Sequence, residues 1–261
     1  MDDIKYYYNY LGFCKLDSFF HLKYIDEINE IIDNLNLKPS ETVFEENNTG
    51  KIKQIQYLYK YHERFNVLLE SLINIAKILT KQDDLYILNM QLFEKHPKIS
   101  KETRAHQDNA YFKLNPPNAI TFWISLDDIN KENGSLYYVP KSHLGRTLKH
   151  DRYNKNTTFR VRSGVSGLSL CLPNYNLDKE IIMPTKKGDV LIHHCNLIHR
   201  AGKNNSLNRR RRSIGIVFIP NNCKVDEQLN KIHCKQLKED IELQREKNPE
   251  LYERLLNEYQ T

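Results

Sequence analysis

The sequence predicts a mainly β protein with flanking helices: an antiparallel sandwich with helices over one outer face. Three observations predict it. Apolar residues recur at helical spacing before residue 80 and at a spacing of two after Asp83-Asp84. Turn residues separate the later, shorter runs. Neither a Gly-rich strand-to-helix turn nor an alternation of strands with helices is present, which argues against a doubly wound sheet.

The first helix is expected from Asp17-Ser18, both good cap residues, with Ile25, Ile28, Ile31, Ile32 and Leu35 along one face. Pro39 and the polar stretch Glu45 to Gly50 end it. A second helix is expected from Glu63 to Leu79, with Leu68, Leu69, Leu72, Ile75, Ala76 and Leu79 as its apolar side. The strands that follow are LYILNMQLF, NAITFWISLDD, GSLYYVP, GDVLIHHCNLIH and RSIGIVFIP. Asn115-Pro116-Pro117-Asn118 and Asn133-Gly134 are turn signals between them. From Val225 onward the chain is charged and helix-prone. The 261 residues are therefore expected to form one domain: a helical N-terminal part, 1–82, packing on the sheet, a β core, 83–220, and a C-terminal helical extension, 221–261. Residues 145–182 show no clear period and are expected to form a lid over the core.

Composition narrows the function. No run approaches the ~20 apolar residues of a membrane span, and the opening MDDIKYYYNY is acidic and aromatic, unlike a signal peptide. Five cysteines without a CxxC pair argue against a disulfide framework or a thiolate zinc site and for a reducing, cytoplasmic setting. The net charge of +6 is modest. The run Arg209 to Arg212 lacks interleaved aromatics, which argues against nucleic acid as a partner. Monomer and homodimer both remain open.

The stretch HQDNAYF, residues 106–112, points to chemistry. On a strand, residues two apart face the same side, so His106 and Asp108 would present an imidazole and a carboxylate together. GDVLIHHCNLIHRAG offers His193, His194 and His199 as a third ligand. Any of them would complete the two-His-one-carboxylate face that suits non-haem Fe(II) and leaves coordination positions open. His199 is favoured because a strand bearing an anion receptor follows it. In RSIGIVFIP the bulky Ile214, Ile216 and Phe218 should pack under the helices, while Ser213, Gly215 and Val217 line a pocket. Parity adds Arg211 to the pocket side. A guanidinium and a hydroxyl together suit a carboxylate, the layout for a 2-oxo acid cosubstrate. Thr121, Trp123 and Ser125 would form a polar wall, and Gln91, sharing a face with Ile87, Asn89 and Phe93, could bond a cosubstrate oxygen. His193 and His194 are read as core or supporting groups.

These residues also carry a resemblance. HQD (106–108), FWISLDDINKENGSLYYVPKSH (122–143), GDVLIHHCNLIHRAG (188–202) and RRS (211–213), with YNYLGFCKLDSFF near the start, resemble the phytanoyl-CoA dioxygenase family in order and spacing. The resemblance spans residues 8 to 219 and departs from the family at Lys141, where glycine is usual. It implies a double-stranded β-helix (jelly-roll, cupin-like) core, Fe(II), and 2-oxoglutarate and O2 as cosubstrates. By that similarity His106, Asp108 and His199 are the catalytic iron ligands. Arg211 binds the distal carboxylate, with Arg210 as the alternative anchor, and Gln91 and Trp123 line the cosubstrate site beside Thr121 and Ser213. The implied activity is hydroxylation of a small molecule with release of succinate and CO2. Halogenation is not implied, because Asp108 fills the position that related halogenases leave open for chloride. Arg146, Arg160 and Arg162 in the lid would suit an anionic substrate, with Tyr111 and Phe112 in contact. The competing reading is a catalytically silent jelly-roll that binds a ligand.

Overall fold

A computed structural model describes residues 1–40, 42–46, 49–152, 168–170 and 179–231, with positions 235, 242, 244–247, 249 and 253 further on. Local sequence explains the elements. Helix α1 (Asp2–Leu11) begins on two aspartates, which suit the positive end of a helix, and ends at Gly12 in the left-handed region. It leads into β1 (Phe13–Leu16). Helix α2 (Leu22–Asn34) buries Ile25, Ile28 and Ile32, spaced to share one face. A hairpin of β2 (Val43–Glu45) and β3 (Ile52–Ile55) follows. Helix α3 (Asn66–Thr80) buries Leu68, Leu72, Ile75, Ala76 and Leu79.

The long strand β4 (Leu85–Lys95) and β5 (Thr103–His106) come next, then a short helical turn, α4 (Asn109–Phe112). After it come β6 (Leu114–Asn115), β7 (Ile120–Ser125), β8 (Leu136–Tyr138), β9 (His150–Arg152), β10 (Leu168–Leu170) and β11 (Ile181–Met183). The chain continues through β12 (Val190–His194), β13 (His199–Ala201), β14 (Arg211–Pro220) and β15 (Lys224–Val225). Among the described residues these form a seven-stranded sheet, β1-β12-β7-β14-β4-β3-β2, and a four-stranded sheet, β11-β8-β13-β5, with two further strand pairs. The paired strands run antiparallel. The two sheets make the jelly-roll. α2 and α3 bury their apolar faces on the outer side of the large sheet, against Ile120, Phe122, Ile124, Ile214, Ile216 and Phe218. Between the sheets a smaller apolar cluster holds Phe13, Leu136, Tyr138, Leu191, Leu197 and Ala201.

Several expectations are corrected. Helix α1 was not expected; the helix expected from Asp17-Ser18 begins at Leu22 and is capped by the His21 side chain accepting from the Lys23 N–H at 3.2 Å, and the one expected from Glu63 begins at Asn66, after a 3-10 turn over Glu63–Phe65. Ser18 instead turns with φ 49 and gives its N–H to Asp189. Residues 1–82 are not purely helical, because β1, β2 and β3 extend both edges of the large sheet. GDVLIHHCNLIH is two strands, not one. A turn at Cys195–Ile198 separates them, tied by Leu197 N–H to His194 C=O at 2.8 Å and by Ile198 N–H to the Ser142 hydroxyl at 2.8 Å. Ile87 does not share the face of Asn89, Gln91 and Phe93. A register shift opposite Val217/Phe218 reverses the parity, and Ile87 packs on the helix side. Residues 153–167 and 171–178 of the expected lid, and most of 232–261, lie outside the described residues. Among the described residues no helix is long and apolar enough to cross a membrane.

Phe218 sits at the centre of the helix-facing core, edge-on to Phe122 with ring centroids 5.7 Å apart. Phe218→Ala should lower the unfolding free energy by about 3–5 kcal/mol, seen as a lower urea midpoint at unchanged slope.

Candidate metal centre

Two cross-strand pairs, one from each sheet, meet at one carboxylate. In the small sheet His199 on β13 lies directly opposite His106 on β5, and their rings are 4.3 Å apart. In the large sheet His193 on β12 lies opposite Thr121 on β7. Asp108 sits between the pairs. Its Oδ2 accepts from the Thr121 hydroxyl at 2.9 Å and faces His193 Nε2 at 3.3 Å. Its Oδ1 faces His106 Nε2 at 3.6 Å and His199 Nε2 at 3.5 Å. The three ligand atoms of His106, Asp108 and His199 lie within 4.8 Å of one another. That spacing fits one ion bonded at about 2.0–2.2 Å to each.

Hydrogen bonds set the tautomers. His106 Nδ1 lies 2.7 Å from the Arg104 carbonyl and His199 Nδ1 3.0 Å from the Leu197 carbonyl. Both Nδ1 atoms must donate, so both Nε2 lone pairs point at the centre. Similarly, the Tyr138 hydroxyl donates to His193 Nδ1 at 2.8 Å, which leaves the His193 Nε2–H for Asp108. Burial alone would raise the Asp108 carboxyl; the His199, His106 and His193 imidazoles outweigh it and hold it well below the usual carboxylate range. Burial, and then His106, push the His199 imidazole down to about 3. A neutral imidazole beside an ionised carboxylate is the state a divalent metal needs.

Asp108 reaches this position differently from the strand reading. Strand β5 ends at His106, and Asp108 lies in the right-handed helical region as the residue that opens α4. Gln107 holds the bend: its amide group donates to the Asn196 carbonyl at 2.8 Å and accepts from the Leu148 N–H at 2.7 Å.

The centre opens into a cavity of about 340 Å³, which Arg211 also lines. Arg211 is 2 % exposed, and its Nε and Nη1 have no hydrogen-bond partner. The other three arginines of the run are paired: Arg209 with Glu132, Arg210 with Asp33, and Arg212 with Asp33 and Asp127. Arg211 is thus the one of the four without a carboxylate among the described residues, and Arg210 points away to the helix side. Burial lowers the Arg211 guanidinium to about 10, so it stays charged. Its guanidinium carbon lies 5.5 Å from the Trp123 ring, which stacks on Phe93. The buried Ser213 hydroxyl is also unpartnered. Gly215 makes room between these groups, since a Cβ there would come within 3.0 Å of the Phe93 ring. An unpaired buried cation beside unpaired donors fits a bound carboxylate, because an uncompensated buried charge is otherwise strongly destabilising.

The family model for phytanoyl-CoA dioxygenase (PhyH) matches residues 8–212. The chain belongs to the phytanoyl-CoA dioxygenase family. A rice protein named phytanoyl-CoA dioxygenase 1 is 33% identical over 121 residues, covering 45% of this chain and 39% of that protein. The mouse peroxisomal phytanoyl-CoA dioxygenase is 27% identical over 179 residues, covering 66% of this chain and 51% of that one. The chain thus spans about half, or less, of the length of these curated relatives. Among solved structures, EvdO2 from Micromonospora carbonacea var. aurantiaca, complexed with 2-oxoglutarate, superposes with a TM-score of 0.69 at 19% identity, over 87% of this chain and 93% of that one. At that identity the likeness concerns the fold.

Gln91, Thr121, Trp123 and Arg211 line the cavity with the metal triad, whereas Ser213 and Ser125, expected on the same wall, are buried but not among the lining residues. Thr121, however, spends its hydroxyl on Asp108, and the Gln91 amide oxygen accepts from Gln54. Tyr111 and Phe112 line the cavity, Tyr111 edge-on to His106. Arg146 is exposed and is not among the lining residues, while Arg160 and Arg162 lie outside the described residues. Sequence reasoning missed Tyr138, which orients His193, and Lys95, a buried cavity residue. Lys95 was in reach, since it stands four residues beyond Gln91 on the same strand face.

Thr121→Val should remove one of the two bonds on Asp108 Oδ2 and weaken divalent metal binding by about 10–100-fold. An anaerobic Fe(II) titration of the folded variant measures this.

Proposed function

We propose that this protein is a non-haem Fe(II)/2-oxoglutarate-dependent dioxygenase that hydroxylates a small molecule: R–H, O2 and 2-oxoglutarate give R–OH, succinate and CO2. The observation that supports this most is the unpaired, buried Arg211 guanidinium in the same cavity as a two-His-one-carboxylate set. Neither feature alone requires a cosubstrate; together they suit a dicarboxylate that chelates at one end and is anchored at the other.

His106, Asp108 and His199 would hold the iron, which with 2-oxoglutarate and O2 supplies the oxidising chemistry. Thr121 and His193 keep one Asp108 oxygen engaged, so the other is presented at a set angle. Arg211 binds and orients the distal carboxylate, and Ser213 donates its free hydroxyl there. Trp123 and Phe93 flank the anion and exclude water, which strengthens its pairing with the guanidinium. Tyr111 and Phe112 offer aromatic surface for the substrate. The carboxylate of Asp108 favours hydroxylation over halogenation.

Succinate release under air, across a metabolite panel, should rise above background with a true substrate. A folded protein that gives no visible charge-transfer absorption on anaerobic addition of Fe(II) and 2-oxoglutarate would instead be a silent ligand binder. Arg211→Met should weaken 2-oxoglutarate binding about 100-fold, or ~3 kcal/mol, while leaving Fe(II) affinity unchanged, as read by anaerobic titration of each.

A further inference from the structure

Strand β8 places Tyr138 directly opposite His199 on β13. Paired residues of antiparallel strands share a face, and the phenol ring stands 6.2 Å from the His199 ring. Tyr138 is fully buried, with the Phe13 ring 4.9 Å away, and is not among the residues that line the cavity. Its hydroxyl donates to His193 Nδ1 at 2.8 Å, and His193 Nε2 faces Asp108 Oδ2 at 3.3 Å. A hydrogen-bonded chain therefore runs from a phenol to the metal-binding carboxylate. Orienting His193 needs only a donor at Nδ1, and a serine hydroxyl would serve. A phenol adds a property that serine lacks: it can give up an electron. It does so only where its proton has an acceptor, because an oxidised phenol is strongly acidic. The His193 lone pair is that acceptor. Tyr8, also buried, has no hydrogen-bond partner on its hydroxyl and lacks this property.

We propose that Tyr138 is an internal electron donor to the metal centre, used when O2 and 2-oxoglutarate react with no substrate in place. This rests on the cosubstrate reading proposed above. In that event the two oxidising equivalents formed with succinate and CO2 meet no substrate C–H bond. The oxidisable side chains that line the cavity, Tyr111, Phe112 and Trp123, are then exposed to them. Tyr138 is an alternative outlet. Its electron passes to the centre and its hydroxyl proton to His193 Nδ1. A neutral phenoxyl radical remains, beside an imidazolium that the Asp108 carboxylate stabilises. A soluble thiol returns the electron, and His193 returns the proton. Two such passages balance the reaction: 2-oxoglutarate, O2 and two thiols give succinate, CO2, water and a disulfide. Because Tyr138 lies outside the cavity lining, it exchanges only an electron and a proton and is not itself hydroxylated. Burial, and then the Asp108 charge, hold the phenol well above its ordinary range, so it keeps its proton until the electron leaves.

The test uses the full chain, loaded anaerobically with Fe(II) and 2-oxoglutarate, mixed with O2 without substrate and frozen at successive times. Electron paramagnetic resonance should show a tyrosyl radical. Its hyperfine pattern should narrow in protein grown with ring-deuterated tyrosine, and it should carry an exchangeable proton coupling from the His193 hydrogen bond. Compared at equal succinate released, Tyr138→Phe should lose the radical, and its peptides should carry more added oxygen at Trp123 and Tyr111 by mass spectrometry. Succinate release by the wild type without a radical, or the same radical in Tyr138→Phe, overturns the role of Tyr138 and leaves the cosubstrate reading standing. Tyr138 would then only orient His193. A complex that shows the charge-transfer absorption but releases no succinate under O2 also overturns that role, since no oxidant forms for Tyr138 to meet. Absence of the absorption overturns the cosubstrate reading itself. If Tyr138→Phe does not fold, the exchangeable coupling in the wild type decides, because a radical without it is not on Tyr138.

Discussion

The Asp108 carboxylate is the constraint on which the site depends. Each of its oxygens belongs to a different sheet. Oδ2 is engaged by Thr121 and His193 of the large sheet, and Oδ1 faces His106 and His199 of the small one. A largely buried, ionised carboxylate is costly unless its lone pairs are satisfied. Here they can be satisfied in full only when both sheets are docked and a cation sits at Oδ1. Fold and metal site are therefore one structure. The bend after His106 lets this happen, because a strand continued through Asp108 would keep it in the plane of the small sheet.

Strand β14 shows how one segment serves two layers. Ile214, Ile216 and Phe218 belong to the helix-facing core, while Arg211, Gly215 and Val217 line the cavity. The apolar face is what keeps the polar face in place, since large buried side chains allow little movement of the strand that bears them. The arginine run divides in the same way. Arg210 and Arg212 reach Asp33 on α2, and Arg209 reaches Glu132, which leaves Arg211 as the inward member. Three arginines paired with carboxylates thus surround one whose Nε and Nη1 are buried without a partner.

The cavity floor is built from cross-strand neighbours too. Gly215 lies beside Gln91 on one strand and Trp123 on the other, and the stacked Phe93 and Trp123 rings close over it. Aromatic walls lower the local dielectric, so a carboxylate placed there feels Arg211 more strongly than it would in water.

Much of this was legible in residue order. Period-two alternation in LYILNMQLF, NAITFWISLDD and RSIGIVFIP is a local consequence of strand geometry, so it separated the helix-facing from the inward-facing residues of β7 and β14 and indicated an antiparallel sandwich; the jelly-roll class came from the family resemblance. That His106, Asp108, His199 and Arg211 would come together in one cavity was legible because metal and carboxylate chemistry admits few residue types. Other features were not. Strands β1, β2 and β3 are three or four residues long, too short to display a period. The shift that turns Ile87 outward and the turn that sends His199 to the second sheet depend on hydrogen bonds to distant partners such as Ser142. The pairing of Thr121 with Asp108, and of Lys95 with Arg211, depends on register between strands far apart in the chain. Side-chain chemistry and alternation are written residue by residue, so the sequence alone determined them. Register and sheet docking are long-range packing outcomes, so only the tertiary structure decided which of those side chains meet.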